Sequence, residues 1–254
     1  MNLQKHYPEL NFFLENLDAL IDAPNGIEKA RELVLQIAVR GRLVKQDRND
    51  EPASELLKKI KAEKEKLISE GKIKKQRELP LVKEEEKLFV LPEGWEWVRI
   101  GQIAQHNSGK TLDSGRNTGK PRECITTSNL YWGYFEINNL KKILIEDNEL
   151  EKCTTAKGDL LICEGGEAGR SAVWNFDNQV CFQNHVHRVR PYGKIDTYYL
   201  YFYFYLLHLS KELDKFRKGV GISSLSGKTL SMIYFPLPPL AEQKRIVEKV
   251  NSLM

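Results

Sequence analysis

Two glycine-lysine-threonine motifs in this 254-residue chain have the residue types of a phosphate-binding loop, at residues 109–111 and 227–229. Such a loop needs an earlier glycine, five positions before its second glycine, so that successive backbone N–H groups wrap a phosphate. Ala104 and Ile222 occupy those positions. The glycine-rich segment 164–170 also lacks the G-x-G-x-x-G pattern of a dinucleotide site. None of these motifs therefore predicts a nucleotide site.

Histidine, cysteine and carboxylate side chains are the other candidates for chemistry. His185 and His187 are spaced to share one face of a strand, with Cys181 nearby, as a metal-binding pair would be. No second pair of ligands follows at a metal-like spacing, and no G-x-S-x-G nucleophile motif is present. We therefore expect no catalytic residue and no metal ligand. One enzymatic alternative stays open, a metal-dependent nuclease that uses Asp159, Glu164 and the two histidines.

The composition indicates a folded protein without a membrane span. Hydrophobic residues make up 41% of the chain and charged residues 29%, with a mean hydropathy of -0.48, which is enough to bury a core. No run approaches the roughly 18 apolar residues that a span needs. The first residues lack a secretory signal pattern, and the four cysteines form no CxxC pair. These features predict a cytoplasmic protein with no membrane partner.

Charge is nearly balanced overall but clustered locally. The chain carries 39 basic and 35 acidic residues. Segment 109–122 has four basic residues opposed only by Asp113, and segment 211–228 has five opposed only by Glu212 and Asp214. An acidic stretch lies between them, at residues 146–164. This pattern favours a polarised surface that suits a polyanion, although two ordinary solvated surfaces would explain it as well.

Hydrophobic periodicity predicts the elements that must position these residues. Residues 1–71 have a helical pattern, with an apolar stripe at helical spacing from Ile27 to Ile37 and a further helix from Pro52 to near Gly71. Residues 72–90 lose the periodicity and form a charged linker. Residues 91–239 alternate short β-rich runs, at 95–100, 143–145, 159–163, 172–174 and 185–189, with polar turns and one helix at 196–216. Residues 240–254 start a new helix that stops without a capping signal.

Three segments carry a family resemblance: LPEGWEWVRIGQIA (91–104), LLICEGGEAGR followed by VCFQNHVHRVRP (160–191), and FPLPPLAEQKRIVEKV (235–250). In this order they resemble the specificity subunit of type I restriction-modification enzymes, in its N-terminal part with one target recognition domain. The resemblance implies a mixed α/β (α+β) target recognition domain at 91–239, flanked by long α-helices that pair as a coiled coil. It also implies a bacterial or archaeal source.

The resemblance implies a non-catalytic reader of double-stranded DNA. Partner modification (methyltransferase) and restriction (motor-nuclease) subunits would do the chemistry, using S-adenosylmethionine, ATP and Mg²⁺, so this chain needs no cofactor. In such an interface lysine and arginine position the phosphates, while amide and guanidinium groups read base edges. The candidate DNA contacts are Lys110, Thr111, Arg116, Asn117, Lys120, Arg122, Ser128, Asn129, Arg170, Gln183, Asn184, His185, Lys218, Ser223, Ser224 and Lys228. The candidate helix-pairing residues are Ile27, Ala30, Val34, Ile37, Ile246, Val250 and Leu253.

Several alternatives remain at this point. With one recognition domain, the chain is either a half-length subunit that dimerises to read a symmetric site or a fragment of a longer subunit, and the uncapped helix ending at Met254 favours the fragment. Tyr131 and Trp132 are expected in the core rather than stacked on bases. A rival interpretation is a protein-interaction adaptor that never touches DNA, for which DNA binding would be weak and insensitive to salt.

Overall fold

The computed structural model describes residues 12, 15–16, 19–20, 22–113, 115–219 and 224–254. The chain divides into two compact units. The helical unit comprises the chain up to Arg99 together with Tyr192–Lys211 and Tyr234–Met254. The sheet unit comprises Ile100–Pro191 and Glu212–Ile233. No helix in the described ranges has both the length and the apolar character that crossing a membrane requires.

The elements alternate along the chain as expected for a mixed α/β protein. The helices are α1 (Gly26–Val39), α2 (Ala53–Ser69), α3 (Ile100–Ile103), α4 (Leu150–Cys153), α5 (Thr197–Leu209), α6 (Gly227–Met232) and α7 (Leu240–Leu253). The strands are β1 (Glu96–Arg99), β2 (Ala104–Ser108), β3 (Lys120–Ile125), β4 (Lys141–Ile145), β5 (Leu160–Cys163), β6 (Ser171–Val173), β7 (Cys181–Phe182), β8 (Val186–Pro191) and β9 (Tyr234–Leu237).

The helical unit is built around α5, whose sequence is apolar on all sides. Because α5 has no continuous polar face, most of its side chains are buried, and it packs against both α1 and α7, which also contact each other. The short antiparallel pair β1–β9 completes the unit, with Glu96 opposite Leu237 and Arg99 opposite Tyr234. Trp95, only 5% exposed, donates its indole N–H to Glu242 Oε2 on α7 over 2.9 Å.

The helix-pairing residues have mixed environments. Most of them are buried inside the helical unit itself, namely Ala30, Val34, Ile37, Ile246 and Val250. Ile27 is 55% exposed, and Leu253 is partly exposed. The apolar stripes of α1 and α7 are shared with α5, so the described helices do not form a coiled coil as such. The part of the predicted helical region before residue 22 falls largely outside the described residues.

Part of the predicted linker is held against β1 and is not a free connection. The guanidinium of Arg99, 2% exposed, donates to both carboxylate oxygens of Glu86 over 2.8 and 2.5 Å. It also donates to the backbone oxygens of Pro80 and Leu81. The hydrogen bonds from Arg99 lower the pKa of Glu86. The charge on Glu86 therefore serves to neutralise a buried arginine.

The sheet unit contains a four-stranded antiparallel sheet in the order β2-β8-β5-β6 and a three-stranded sheet in the order β4-β3-β7. In the second sheet β3 runs antiparallel to β4 and parallel to β7. Buried side chains from both sheets form one core, which includes Ile125, Leu130, Leu161, Trp174 and Phe182.

The compact units do not follow the interval 91–239, which stays a prediction. The chain leaves the sheet unit at Tyr192, contributes α5 to the helical unit, and returns only at Glu212. β1 and β9 also belong to the helical unit. The reason is the apolar surface of α5, which is buried by the terminal helices. The predicted helix 196–216 ends earlier, since α5 stops at Leu209 and Lys211 adopts a positive φ of 60°.

Candidate nucleic-acid interface

Loops from distant parts of the sequence meet at one end of the sheet unit. Because β3 and β7 run parallel, their carboxyl ends lie together, and because β8 is antiparallel to both β2 and β5, its start lies beside their carboxyl ends. We call the loops found there the loop end. It consists of residues 109–111, 126–136, 164–170 and 183–185, and of residues 217–219 and 224–226, the described parts of a fifth segment.

Backbone hydrogen bonds join these loops into one surface. Lys110 N donates to Phe182 O over 2.9 Å, and Asn184 N donates to Lys110 O over 2.8 Å. Glu164 donates to His185 O and accepts from Leu225 N, both over 2.8 Å. Four of the five segments are therefore braced by main-chain bonds that do not depend on the side chains.

A close backbone approach explains the glycine of the first loop. A Cβ built on Gly109 would lie 1.9 Å from Phe182 O, so no other residue fits without moving the backbone. The glycine of this Gly-Lys-Thr motif is thus required for packing between β2 and β7. The glycine that makes this motif resemble a phosphate-binding loop is explained by that packing.

Several of the predicted DNA contacts are bound to other parts of the loop end. Arg170 donates to Thr127 O over 2.6 Å and approaches Glu167 at 3.3 Å, so it connects the glycine-rich turn with the loop after β3. Asn129 accepts from Thr126 N and Thr126 Oγ1 and donates to Glu136 O. Gln183 is only 6% exposed. These side chains hold the loops in place and present little surface to a ligand.

The first basic segment and the acidic stretch do not form separate surfaces, because the acidic segment 146–149 folds onto the basic segment 109–122. Lys110 binds Glu149, and Lys120 and Arg122 bind Asp147 over 2.8 and 2.9 Å. The antiparallel register places Lys120 opposite Ile145, so the turn that follows β4 necessarily lies beside the start of β3. The hydrogen bonds from these cations lower the pKa of Asp147 and of Glu149. Three predicted phosphate contacts are therefore already paired with carboxylates.

Other candidates are exposed to solvent. Thr111, Arg116, Ser128, His185, Lys218 and Lys228 are exposed, and Asn117, Asn184 and Ser224 are partly exposed. Arg116 lies 3.7 Å from Asp113, with 89% of its side chain exposed. No carboxylate in the described ranges lies within ion-pair distance of Lys218 or Lys228. Asn117 donates to Thr111 O, and Ser223 falls outside the described residues.

Of the residues of the nuclease alternative, His185 and Glu164 come together, with His185 Nδ1 3.9 Å from Glu164 Oε2, but Asp159 lies apart from them. Asp159 is 1% exposed, precedes β5 and forms a two-pronged ion pair with Arg190 over 2.7 and 2.8 Å. Glu164 follows the same strand at its other end, about 16 Å away from Asp159 at the usual rise of a strand. His187 is buried and lies 3.0 Å from Leu225 O, and burial lowers its pKa. Among the described residues, no three histidine, cysteine or carboxylate side chains are placed to hold a metal ion.

The expectation for Tyr131 and Trp132 is also wrong. Tyr131 is 37% exposed and stacks on Tyr134, which is 57% exposed. Trp132 is partly exposed, and its indole N–H donates to Glu167 over 2.6 Å. The flanking Leu130 enters the core in their place, and Phe135 packs against it. The sequence signal was an aromatic-rich run between two turn signals. Which of its side chains are buried and which are exposed depends on the hairpin.

Comparison with known proteins finds matches across most of the chain. Residues 92–254 match the family described as "Type I restriction modification DNA specificity domain". The chain is 34% identical to the type I restriction enzyme EcoAI specificity subunit of Escherichia coli, over 94% of this chain and 42% of that protein. It is 55% identical to the EcoEI specificity subunit of Escherichia coli, over 40% of this chain and 18% of that protein.

The fold has a counterpart among solved structures. A chain from a study of complex assembly and conformational transition of the type I R-M system superposes with a TM-score of 0.51, at 20% identity, over 91% of this chain and 52% of that chain. The present chain spans less than half the length of the two curated relatives. Because the family match covers more than half of its residues, the chain belongs to the type I restriction modification DNA specificity domain family.

Proposed function

We propose that this chain is the DNA-reading part of a type I specificity subunit, and that its loop end binds one half of a bipartite target on double-stranded DNA. The observation that carries this proposal is the convergence at one end of the sheet unit of segments separated by up to about a hundred residues. Loops on a braced scaffold can vary their exposed side chains without disturbing the core. Membership of a DNA specificity family supports the same function.

Within this proposal the candidate residues divide into two groups. Lys110, Asn129, Arg170 and Gln183 position the loops, since each is paired or buried. Direct DNA contact belongs to the remaining exposed or partly exposed candidates: Thr111, Arg116, Asn117, Ser128, Asn184, His185, Lys218, Ser224 and Lys228. Lys120 and Arg122 would reach phosphates only by exchanging Asp147 for a phosphate.

The proposal assigns catalysis to partner subunits. The modification and restriction subunits would bind S-adenosylmethionine, ATP and Mg²⁺, while this chain docks them and binds no cofactor. The exposed Ile27 and the partly exposed Leu253 would extend helix pairing into a coiled coil, with further chain or with a second copy. The complex would work in the cytoplasm, where its DNA is.

Selection from a randomised duplex pool tests the proposal directly. The chain, with its modification subunit, is incubated with the pool at two salt concentrations, and the bound duplexes are sequenced. One short enriched word supports a single recognition domain, and the same word inverted at fixed spacing supports a dimer. The absence of an enriched word from an intact complex would contradict the proposal and favour a protein-interaction adaptor.

A charge-matched pair of variants locates the surface. Lys218→Ala with Lys228→Ala removes two unpaired cations from or beside the loop end, whereas Lys152→Ala with Lys157→Ala removes two exposed cations from elsewhere in the sheet unit. We expect the first pair to weaken binding of the selected duplex and the second to leave it near wild type. Equal losses in both pairs would contradict the placement of the DNA at the loop end.

A further inference from the structure

The exposed aromatic residues at the loop end form a rigid hairpin tip, consisting of residues 131–134. Tyr131 N donates to Tyr134 O over 3.0 Å, and Gly133 N donates to Ser171 O over 3.0 Å. Gly133 has a φ of 81°, which lets the chain reverse between the two tyrosines. The tip is therefore held by its backbone and anchored by Leu130 in the core.

The rings of the tip are stacked in the open. Tyr131 and Tyr134 lie nearly parallel, with ring centroids 4.9 Å apart and planes 6° apart. The guanidinium of Arg170 lies 5.3 Å from the centroid of Tyr131. Tyr134 is the most exposed of the three aromatic side chains, and within the described residues its ring packs on no aromatic or cationic group other than Tyr131 and so keeps an open face.

The surroundings of the tip favour a nucleic acid over an acidic or purely apolar partner. Glu167, a carboxylate that contacts the tip, is bound by both Trp132 and Arg170. Ser128, an exposed candidate contact, lies in the same loop. Planar rings beside a guanidinium bind bases by stacking, and this binding tolerates any base because each has a flat π face.

Resting on the proposed function, we infer that the aromatic tip is a stacking site for a base step that opens when the target duplex bends. The ligand class is double-stranded DNA at a locally unstacked step, and the tip contributes specificity through deformability and not through hydrogen bonds to base edges. Steps that unstack easily, such as pyrimidine–purine steps, would be preferred at that position. Ring contact explains why two tyrosines remain exposed on an otherwise polar loop.

The test compares aromatic and aliphatic tips on the selected duplex. Tyr131→Ala with Tyr134→Ala removes the rings, and Tyr131→Phe with Tyr134→Phe keeps them. Tyr198→Ala removes an exposed tyrosine of the helical unit and serves as the control. We expect the alanine pair to lose about tenfold in affinity or more, and the phenylalanine pair and the control to bind like wild type.

A mismatch scan separates stacking from a general loss of structure. Each base pair of the selected site is replaced in turn by a mismatch, which lowers the cost of unstacking at that point. The wild-type chain should bind one mismatched position more tightly than the intact duplex, and the alanine pair should lose that gain. Circular dichroism and melting of each variant confirm folding.

The outcomes distinguish this inference from the proposed function. If the alanine pair binds the selected duplex like wild type, or keeps the mismatch gain, the stacking site is refuted and the DNA-reading function stands. If the alanine pair keeps its DNA affinity but fails to bind an intact modification subunit, the tip is a protein contact. If the wild-type chain selects no duplex, the proposed function fails first.

Discussion

Glu242 on α7 provides a quantitative test of how the helical unit is held together. Its carboxyl group is 2% exposed and accepts a hydrogen bond from Trp95 over 2.9 Å. Burial raises the pKa of Glu242 from 4.5 to about 7, against opposing effects from Trp95 and Arg245. Asp50, itself paired with Arg245, adds a small upward contribution. The folded state therefore binds a proton near neutral pH that the unfolded chain does not.

The sign and size of the effect follow from proton linkage. Between the two pKa values the folded state holds more protons than the unfolded state, so stability falls as pH rises through about 7. The shift corresponds to roughly 2–3 kcal/mol between pH 5 and pH 8, because one pKa unit is worth about 1.4 kcal/mol. Glu242→Gln keeps the size and an acceptor for Trp95 but cannot titrate.

The measurement is the free energy of unfolding by urea at pH 5, 6, 7 and 8 for both proteins. Wild type should lose about 2–3 kcal/mol relative to Glu242→Gln over this range, with most of the loss between pH 5 and pH 7. Glu248→Gln, on the exposed face of α7, is the matched control and should follow wild type. Parallel curves for wild type and Glu242→Gln would show that burial does not raise the pKa of Glu242.

Three other predictions concern the sheet unit. Asp159→Asn should lower the free energy of unfolding by about 2–3 kcal/mol, because it removes a charge-assisted pair with Arg190. It should leave any background nicking of DNA with Mg²⁺ unchanged, and a loss of nicking would favour the nuclease alternative. Gly109→Ala should lower stability by at least about 2 kcal/mol in thermal melts, since its Cβ would collide with Phe182 O, and an unchanged melting temperature would contradict that packing. Lys218→Ala with Lys228→Ala should reduce the slope of log affinity against log salt by about 2, measured by anisotropy titrations, and an unchanged slope would place the phosphates elsewhere.

Helices were the elements that the sequence predicted best. The stripe from Ile27 to Ile37 lies within α1, and α2 starts directly after Pro52. β5 was found because its four side chains are all apolar and buried. β2 and β3 were missed, since AQHNS and KPRECI carry no apolar alternation. Both form strands because neighbouring strands pair with them, and not because their own residue types favour a strand.

The candidate site was predicted as a set of loops but not as a set of contacts. Which loops meet follows from strand direction, and the parallel pairing of β3 with β7 cannot be inferred from either strand alone. The ion pairs of Lys110, Lys120 and Arg122 join residues that lie 25 to 39 positions apart. From the charge pattern along the sequence, the basic and acidic residues were expected on separate surfaces. The register of β3 and β4 brings them together.

These ion pairs limit how strongly the chain alone can hold DNA. Of the basic residues assigned to DNA contact, Lys218 and Lys228 have no ion pair within the described ranges, and Arg116 has only a long one, 3.7 Å from Asp113. Three phosphate contacts give a salt slope of about -3 and a loss of roughly fortyfold between 50 and 200 mM salt, against the thousandfold or greater loss of proteins with six to ten contacts. A chain with so few free cations gains little affinity from phosphates that carry no sequence information. Its discrimination must therefore come from the loops and the aromatic tip, and its affinity from additional binding surface, supplied by partner subunits or by a second recognition domain.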